Sequence, residues 1–469
     1  MRILKTTTSI FIALVIGLMF LTSCFQTKKD VVSEYVTIKI GVASFDDDLY
    51  GHNSLKNLLE ARSDIEIEFV ELISSDVRST EEYVNRIDLA LQNGEIDMVI
   101  GLPSYLTPQL ILNNRLLDIT DDLVNLENIH KGVVDIAKTI GNGRVYFISP
   151  IIQDIALVFS NQEILSELGL DNLPDYIGWK DFLNSLAYCN TEIDIRSLGY
   201  SPLALSVGAY QGEDLMIAHE FLQQHTILSR DLTENNVLSQ DATELFDIYA
   251  KVVAQYGKTE NELLNGMFPS NLIFTEGNFA YMVGDVSVLE LLLNSEYNNE
   301  FNADSPFEIK ADFPIGVSII NFDGSQKQNI KETSIIINRN TEHKDITLEL
   351  LNFFMGKELA HNMIENRAKH SYFTPFRYTF PSYHDEETIK LLNEIYDNGF
   401  NASLLYDVEH GNTIAGMYIT NRELIELLNE GFTQVYNAQA NNSDNDLEIS
   451  IVEAIRYINN GLNFLSIDD

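Results

Sequence analysis

The sequence predicts an α/β protein built as two lobes, on three observations. Residues 36–103 alternate strand and helix patterns, residues 178–256 are mainly helical, and strand character returns at 279–285 and 332–340. Strand, helix, strand, helix, strand is the pattern of a parallel sheet with right-handed crossovers. A chain that leaves such a sheet, builds a second set of elements and then resumes strand character crosses between lobes more than once.

Each element has its own signal. In VTIKIGVA, Val36, Ile38, Ile40 and Val42 alternate with the period of a strand. The polar loop FDDDLYGHN then runs into an amphipathic helix, and IEIEFVELI alternates again. Ser79 and Glu82 form a capping box ahead of YVNRIDLALQ, and Gly94 closes that helix. IDMVIGLP is a mostly apolar run of the kind a buried parallel strand needs. RVYFISP and ALVFSN read as strands and QEILSELGL as a helix, followed by the helical pattern of DATELFDIYAKVVAQYG. FAYMVGD and ETSIIINRN return to strand character, and helical stretches at 344–366, 385–398 and 417–464, broken near 441, close the chain.

The amino terminus has a different logic. Arg2 and Lys5 precede twelve mostly large apolar residues, Ile10 to Leu21, and then the small pair Thr22-Ser23. A membrane-spanning helix needs about 20 apolar residues, whereas a secretory signal needs about 7–15 ending in small residues. Leu21-Thr22-Ser23-Cys24 resembles the cleavage motif of bacterial lipoproteins, in which the cysteine receives a diacylglycerol. An ordinary signal with Cys24 incidental to it is the other reading; the coincidence of signal and cysteine favours lipidation. Residues 1–23 are then a signal peptide, 24–35 a polar tether, and the expected location is the outer face of a bacterial cell membrane.

Composition narrows the class. Removing residues 1–23 takes away two of the 30 basic residues, leaving 446 residues with a formal charge of −42. So acidic a chain is a poor ligand for nucleic acid or anionic headgroups, where Lys and Arg supply the affinity. An apolar share of 45% is ordinary for a globular protein. Lipidation leaves Cys189 without a disulfide partner, and in LAYCN it reads as a small buried hydrophobe. No Gly-x-Ser-x-Gly, His-Glu-x-x-His or phosphate loop occurs, and the nine histidines fall in no metal-ligand spacing. Neither a metal nor a cofactor is expected.

Four stretches, in order, carry a resemblance. They are GEIDMVIGLPSYLTPQLILNNRLLDITDDL, GRVYFISPIIQDIALVFSNQEILSELGL, FTEGNFAYMVGDVSVLELL and SIIINRNTEHKDITLELLNFFMGKELAHNM. Together they resemble the extracellular solute-binding proteins, of the family 1 type, that serve ABC importers and include sugar and oligosaccharide binders. The resemblance implies a two-lobed periplasmic-binding-protein-like fold of type II, each lobe a mixed sheet flanked by helices. It places the first lobe at 36–149 and 305–371, the second at 150–304, and terminal helices over 372–469 on the second. The implied protein is not an enzyme: it captures a small solute, foremost a carbohydrate, between its lobes. It then delivers that solute, as a monomer, to an ABC permease. Two departures stand out. Ser160-Asn161 replaces the family's common Tyr-Asn, and the only tryptophan, Trp179, falls at a Trp-x-x-Phe position that packs a helix. A sugar would therefore stack on tyrosine or phenylalanine.

Ligands of such folds lie outside the carboxyl ends of the strands, which selects the loops there. Asp46 and Asp47 follow the first strand and could meet ligand hydroxyls, a cation or solvent. Ser104 and Tyr105 follow the third, where the tyrosine offers a ring face and a hydroxyl. Gln153 and Asp154 occupy the segment that resembles the hinge; bonding to the local backbone is their alternative role. Tyr210 and Asp285 are the second lobe's candidates, and Tyr372 falls at the last crossover, where core packing competes with binding. Two rival functions share these residues. One is a ligand sensor reporting to a membrane kinase. The other is a cell-surface glycoside hydrolase with two carboxylates across the cleft.

Overall fold

The computed structural model describes residues 35–42, 64–72, 80–103, 106–153, 155–204, 206–207, 228–230, 236–238, 240–256, 258–259, 274–284, 289, 292–293, 311–321, 324, 327–328, 333–365, 379–396, 400–410 and 447–462, with a few between 427 and 438. In chain order the strands of its two main sheets and of the ribbon between them are β1 Val36–Val42, β2 Ile65–Glu71, β3 Met98–Pro103, β4 Phe147–Ile148, β5 Ile151–Gln153, β6 Leu157–Asn161, β7 Tyr176–Gly178, β8 Ser201–Ala204, β9 Phe279–Gly284, β10 Ile315–Asn321, β11 Thr333–Ile337 and β12 Thr379–Pro381.

The first sheet has the order β2-β1-β3-β11-β4. β1, β2 and β3 are parallel, and β11 runs antiparallel between β3 and β4. Alternation in β1 places Ile38 and Ile40 wholly in the core, and the apolar run of β3 buries Met98, Val99, Ile100 and Leu102. β2 lies at the sheet edge, so Phe69 stays 48% exposed although the sequence alternates. Helix Thr80–Asn93 links β2 to β3 and ends at Gly94, whose φ of +67° is the left-handed cap that glycine adopts without strain.

The second sheet has the order β7-β10-β6-β9-β8. Its central strand, β6, is antiparallel to both neighbours, while β7 is parallel to β10 and β8 to β9. Asn161 ends β6 and caps helix Gln162–Leu168, accepting from the N–H groups of Glu163 and Ile164; Gly169 closes that helix at φ +72°. One face of this sheet supplies Leu157, Phe159, Met282 and Ile319 to a hydrophobic cluster shared with the first sheet. The other face, with Val158, Tyr281 and Ile320, packs on helices Trp179–Arg196, Gln240–Tyr256 and Leu447–Leu462.

Three expectations change. Ile315–Asn321, assigned above to the first lobe, pairs with β6 and β7 in the second sheet, and the return to the first sheet comes at Thr333. The segment 379–410 contributes Phe380, Tyr383, Tyr396 and Leu405 to the cluster of the first sheet; helix Leu447–Leu462 does pack with the second. The stretch 178–256 also contains β8, which pairs with β9. Ser-Pro-Leu-Ala is too short, and too interrupted by proline, to show a strand period.

Candidate functional site

Strand directions define where a ligand can lie. In the first sheet Val42, Glu71, Pro103 and Ile148 are carboxyl ends, and β11 enters from that same side because Thr333 pairs with Pro103. In the second sheet β6 enters at Leu157, opposite Gly284 of β9 and Ile319 of β10. The carboxyl ends of β7, β8, β9 and β10 therefore lie at the end of that sheet where the chain arrives from the first. Both crossings, 149–156 and 322–332, join the two sheets at these ends.

The first crossing is held by a network of backbone and serine hydrogen bonds. β5 pairs antiparallel with β12, Gln153 opposite Thr379. Ser149 Oγ donates to the carbonyl of Ile151 at 2.7 Å and accepts from its N–H at 3.2 Å. Ser382 Oγ donates to the carbonyl of Ser149 at 2.6 Å, and Ser382 N–H to that of Pro150 at 2.8 Å. Both serines are fully buried, so this polar chain costs nothing in unpaired groups.

Two histidines flank the ribbon. His130 Nδ1 accepts from Gly132 N–H at 3.0 Å, which leaves Nε2 to donate to the carbonyl of Leu405 at 3.2 Å. His384 stacks on Tyr406, centroids 4.6 Å apart at 15°, and burial lowers its pKa. The Tyr406 hydroxyl donates to the carbonyl of Pro381 at 3.2 Å. The sequence reading did not single out these ribbon residues; the signals were the dipeptides Ser149-Pro150 and Pro381-Ser382 in apolar surroundings.

Of the expected ligand-binding residues, Gln153 ends β5 and its backbone joins the ribbon. Asp46, Asp47, Ser104, Tyr105, Asp154, Tyr210, Asp285 and Tyr372 lie outside the described residues, as does Cys24. Each position can still be related to a strand end. Ser104 follows β3, Asp154 follows β5, Asp285 follows β9, and Asp46 lies four residues after β1. Trp179 is 2% exposed and meets Phe182 edge-on at 6.0 Å, and Phe182 meets Tyr281 at 5.6 Å. The single tryptophan is core. Cys189 is fully buried, and burial pushes its thiol up to about 12, so it is an inert apolar group. His361 bonds Thr388 Oγ1 at 3.2 Å, and no cluster of metal-ligating side chains occurs among the described residues. Nor is any described helix long and apolar enough to cross a membrane.

No protein-family model matches the sequence, and neither does any curated protein. Solved structures do match the fold. A sugar transporter from Rhizobium etli in an open conformation aligns with 92% of this chain and all of its own, at 14% identity and a TM-score of 0.60. A family 1 extracellular solute-binding protein from Alicyclobacillus acidocaldarius covers 92% of this chain and 99% of its own, at 11% identity and a TM-score of 0.60. The sugar-binding protein MalE from Xanthomonas citri covers 91% and 97%, at 14% identity and a TM-score of 0.57. With its two mixed sheets joined at their carboxyl ends, this chain has the two-lobed fold of the periplasmic binding proteins.

Proposed function

We propose that this protein is a lipid-anchored extracellular solute-binding protein that captures a small carbohydrate between its lobes and passes it to an ABC permease. The observation that carries the reading is the placement of strand ends. Eight strands of the two sheets, β1 to β4 and β7 to β10, direct their carboxyl ends to the crossings, where the loops after them would line one cleft. Its solved neighbours of like fold include a sugar transporter and sugar-binding proteins, which favours a sugar over other solutes. With Trp179 in the core, aromatic stacking falls to tyrosine or phenylalanine, and Tyr105 follows the carboxyl end of β3 by two residues.

Binding in this scheme requires contact with both lobes, because a ligand shifts an open–closed equilibrium only by its differential affinity for the two states. Tyr105→Ala and Asp154→Ala should each weaken sugar binding more than tenfold, about 2 kcal/mol, while the unliganded melting temperature stays nearly constant. Calorimetric titration against a panel of mono- and oligosaccharides, with melting of the same variants, tests this. Unchanged affinity in both variants would remove these residues from the site. The anchor is tested separately. Cys24→Ala should abolish incorporation of a fatty-acid probe in cells, and equal labelling of wild type and variant would refute lipidation.

A further inference from the structure

The second sheet carries a notch that the cleft does not use. β7 is short: Tyr176 pairs with Ile319, and among the described residues no strand of the sheet continues alongside the amino half of β10. Ile320 donates its N–H to the carbonyl of Ala156, just before β6, whereas Ile319 donates to that of Asp175 on the β7 side. Because successive residues of a strand direct their backbone groups to opposite sides, the N–H and carbonyl of Val317 face the open edge. A cavity of about 300 Å³ lies there, bounded by Val317, Ser318, Gln162, Asn172, Asp175 and the apolar side chain of Leu404, among others.

Part of its polar lining is committed, since Ser160 Oγ donates to the Gly316 carbonyl and Asn401 Oδ1 accepts from Ser403, and part is not. The Ser318 hydroxyl and the side-chain amides of the half-buried Gln162 and the exposed Asn172 make no hydrogen bond to another described residue and are open to water or a ligand. Gly316 allows this arrangement. A Cβ there would lie 2.8 Å from Gln162 Nε2 and 2.5 Å from Ser160 Oγ, so a larger residue would push both side-chain ends aside.

We propose that this notch is a second binding site, for a neutral polyol the size of one sugar ring. Two amides and a hydroxyl that both donate and accept, with a backbone N–H and carbonyl, match a ligand carrying adjacent hydroxyls, each also donor and acceptor. The Asp175 carboxylate accepts from a hydroxyl and repels an anion, and Leu404 offers an apolar wall to the C–H face. The volume sits at the small end of ligand pockets. The site is remote from the cleft: Val317 lies toward the amino end of β10, and the cleft lies past its carboxyl end. It does not depend on the cleft reading.

Amide-resolved NMR of the full-length, nitrogen-15-labelled protein, titrated with D-glucose and with sorbitol into the high-millimolar range, tests the proposal. The backbone signals of Val317 and Ser318 and the side-chain signals of Gln162 and Asn172 should shift together and saturate. The double variant Ser318→Ala/Gln162→Ala should weaken that response about tenfold. The exposed Asn172→Ala, which leaves the sheet untouched, should weaken it too. Gluconate should bind more weakly than either neutral probe. A Tyr105→Ala background should leave the response intact, so failure of the cleft reading and of this one can be told apart. Absence of saturable shifts, shifts unaffected by any of the three substitutions, equal binding of gluconate, or loss of the response in Tyr105→Ala would each overturn the proposal.

Discussion

Asn338, 1% exposed just past the end of β11, ties its own turn to the segment Leu91–Ile96 with one amide. Its Nδ2 donates to the carbonyls of Leu91 and Ile96, each at 2.9 Å, and its Oδ1 accepts from Asn340 N–H at 3.0 Å. Asn338→Leu keeps the bulk and leaves those groups unpaired, which should cost about 2 kcal/mol in urea unfolding. Asn338→Asp, nearly the same shape, should lose at least as much, since a carboxylate cannot donate to either carbonyl. His384 makes a pH-dependent contribution. Burial holds its pKa below the ordinary value, against the pull of Asp385 and Asp407. The unfolded chain therefore takes up this proton first as pH falls, and the contribution is full above about pH 6.5 and declines below it. His384→Phe keeps a ring on Tyr406 and should flatten the loss of unfolding midpoint between about pH 7 and 5.5. Neither residue is legible in the sequence. Asn338 sits in ETSIIINRN, which reads as a strand, and its buried role follows from its meeting with the distant segment Leu91–Ile96. Trp179 and Cys189 were legible because large or apolar side chains at helical spacing have few alternatives to a core.

At the scale of elements, helix Glu386–Ile395 depends on Asp385. Its Oδ1 accepts from Thr388 N–H at 2.7 Å and from the Thr388 hydroxyl at 2.8 Å, and its Oδ2 accepts from Lys357 Nζ at 2.9 Å. Lys357 also contacts Glu387, so the first turns of helices Lys357–Glu365 and Glu386–Ile395 are pinned together. Burial would push the Asp385 carboxyl up, but the Thr388 hydrogen bonds and the Lys357 ammonium outweigh it and hold the group far below the ordinary carboxylate range. A depressed folded pKa means stability that is complete above the unfolded value, near 3.9, and lost as pH falls through the folded one. Asp385→Asn should cost about 1 kcal/mol at neutral pH, measured by urea unfolding, and the difference from wild type should begin to narrow only as pH falls below about 3.9. The sequence shows elements unevenly. β1 and β3 announce themselves by alternation or by an unbroken apolar run, and helix Gln162–Leu168 by Asn161 and Gly169 at its ends. The helical stretch 344–366 divides at Met355–Gly356, and the ribbon strands β5 and β12, three residues each, are too short for any period to register.

At the scale of the molecule, two lobes were readable because strand character resumed after the helical middle, yet the boundary at 305 was not. IGVSIIN is a good strand for either sheet, and only its partners, β6 and β7, decide. The loops proposed to line the cleft are placed by sequence only through the strands they follow. The position of β11 has one further consequence. Ile335, Ile336 and Ile337 are wholly buried between β3 and β4, strands that precede them by about two hundred residues. A chain emerges from the ribosome amino end first, so β3 and β4 wait without their shared neighbour until residue 337 has been made. Assembly of the first lobe is thereby dominated by late, long-range pairing, which is slow and leaves apolar edges open in the meantime. A chain stopped at residue 330 should bind a hydrophobic dye strongly, whereas the full-length protein should not. The amino-terminal lobe, first to be synthesised, is among the last parts able to finish folding, and a nascent chain of this design needs something to shield β3 and β4 meanwhile.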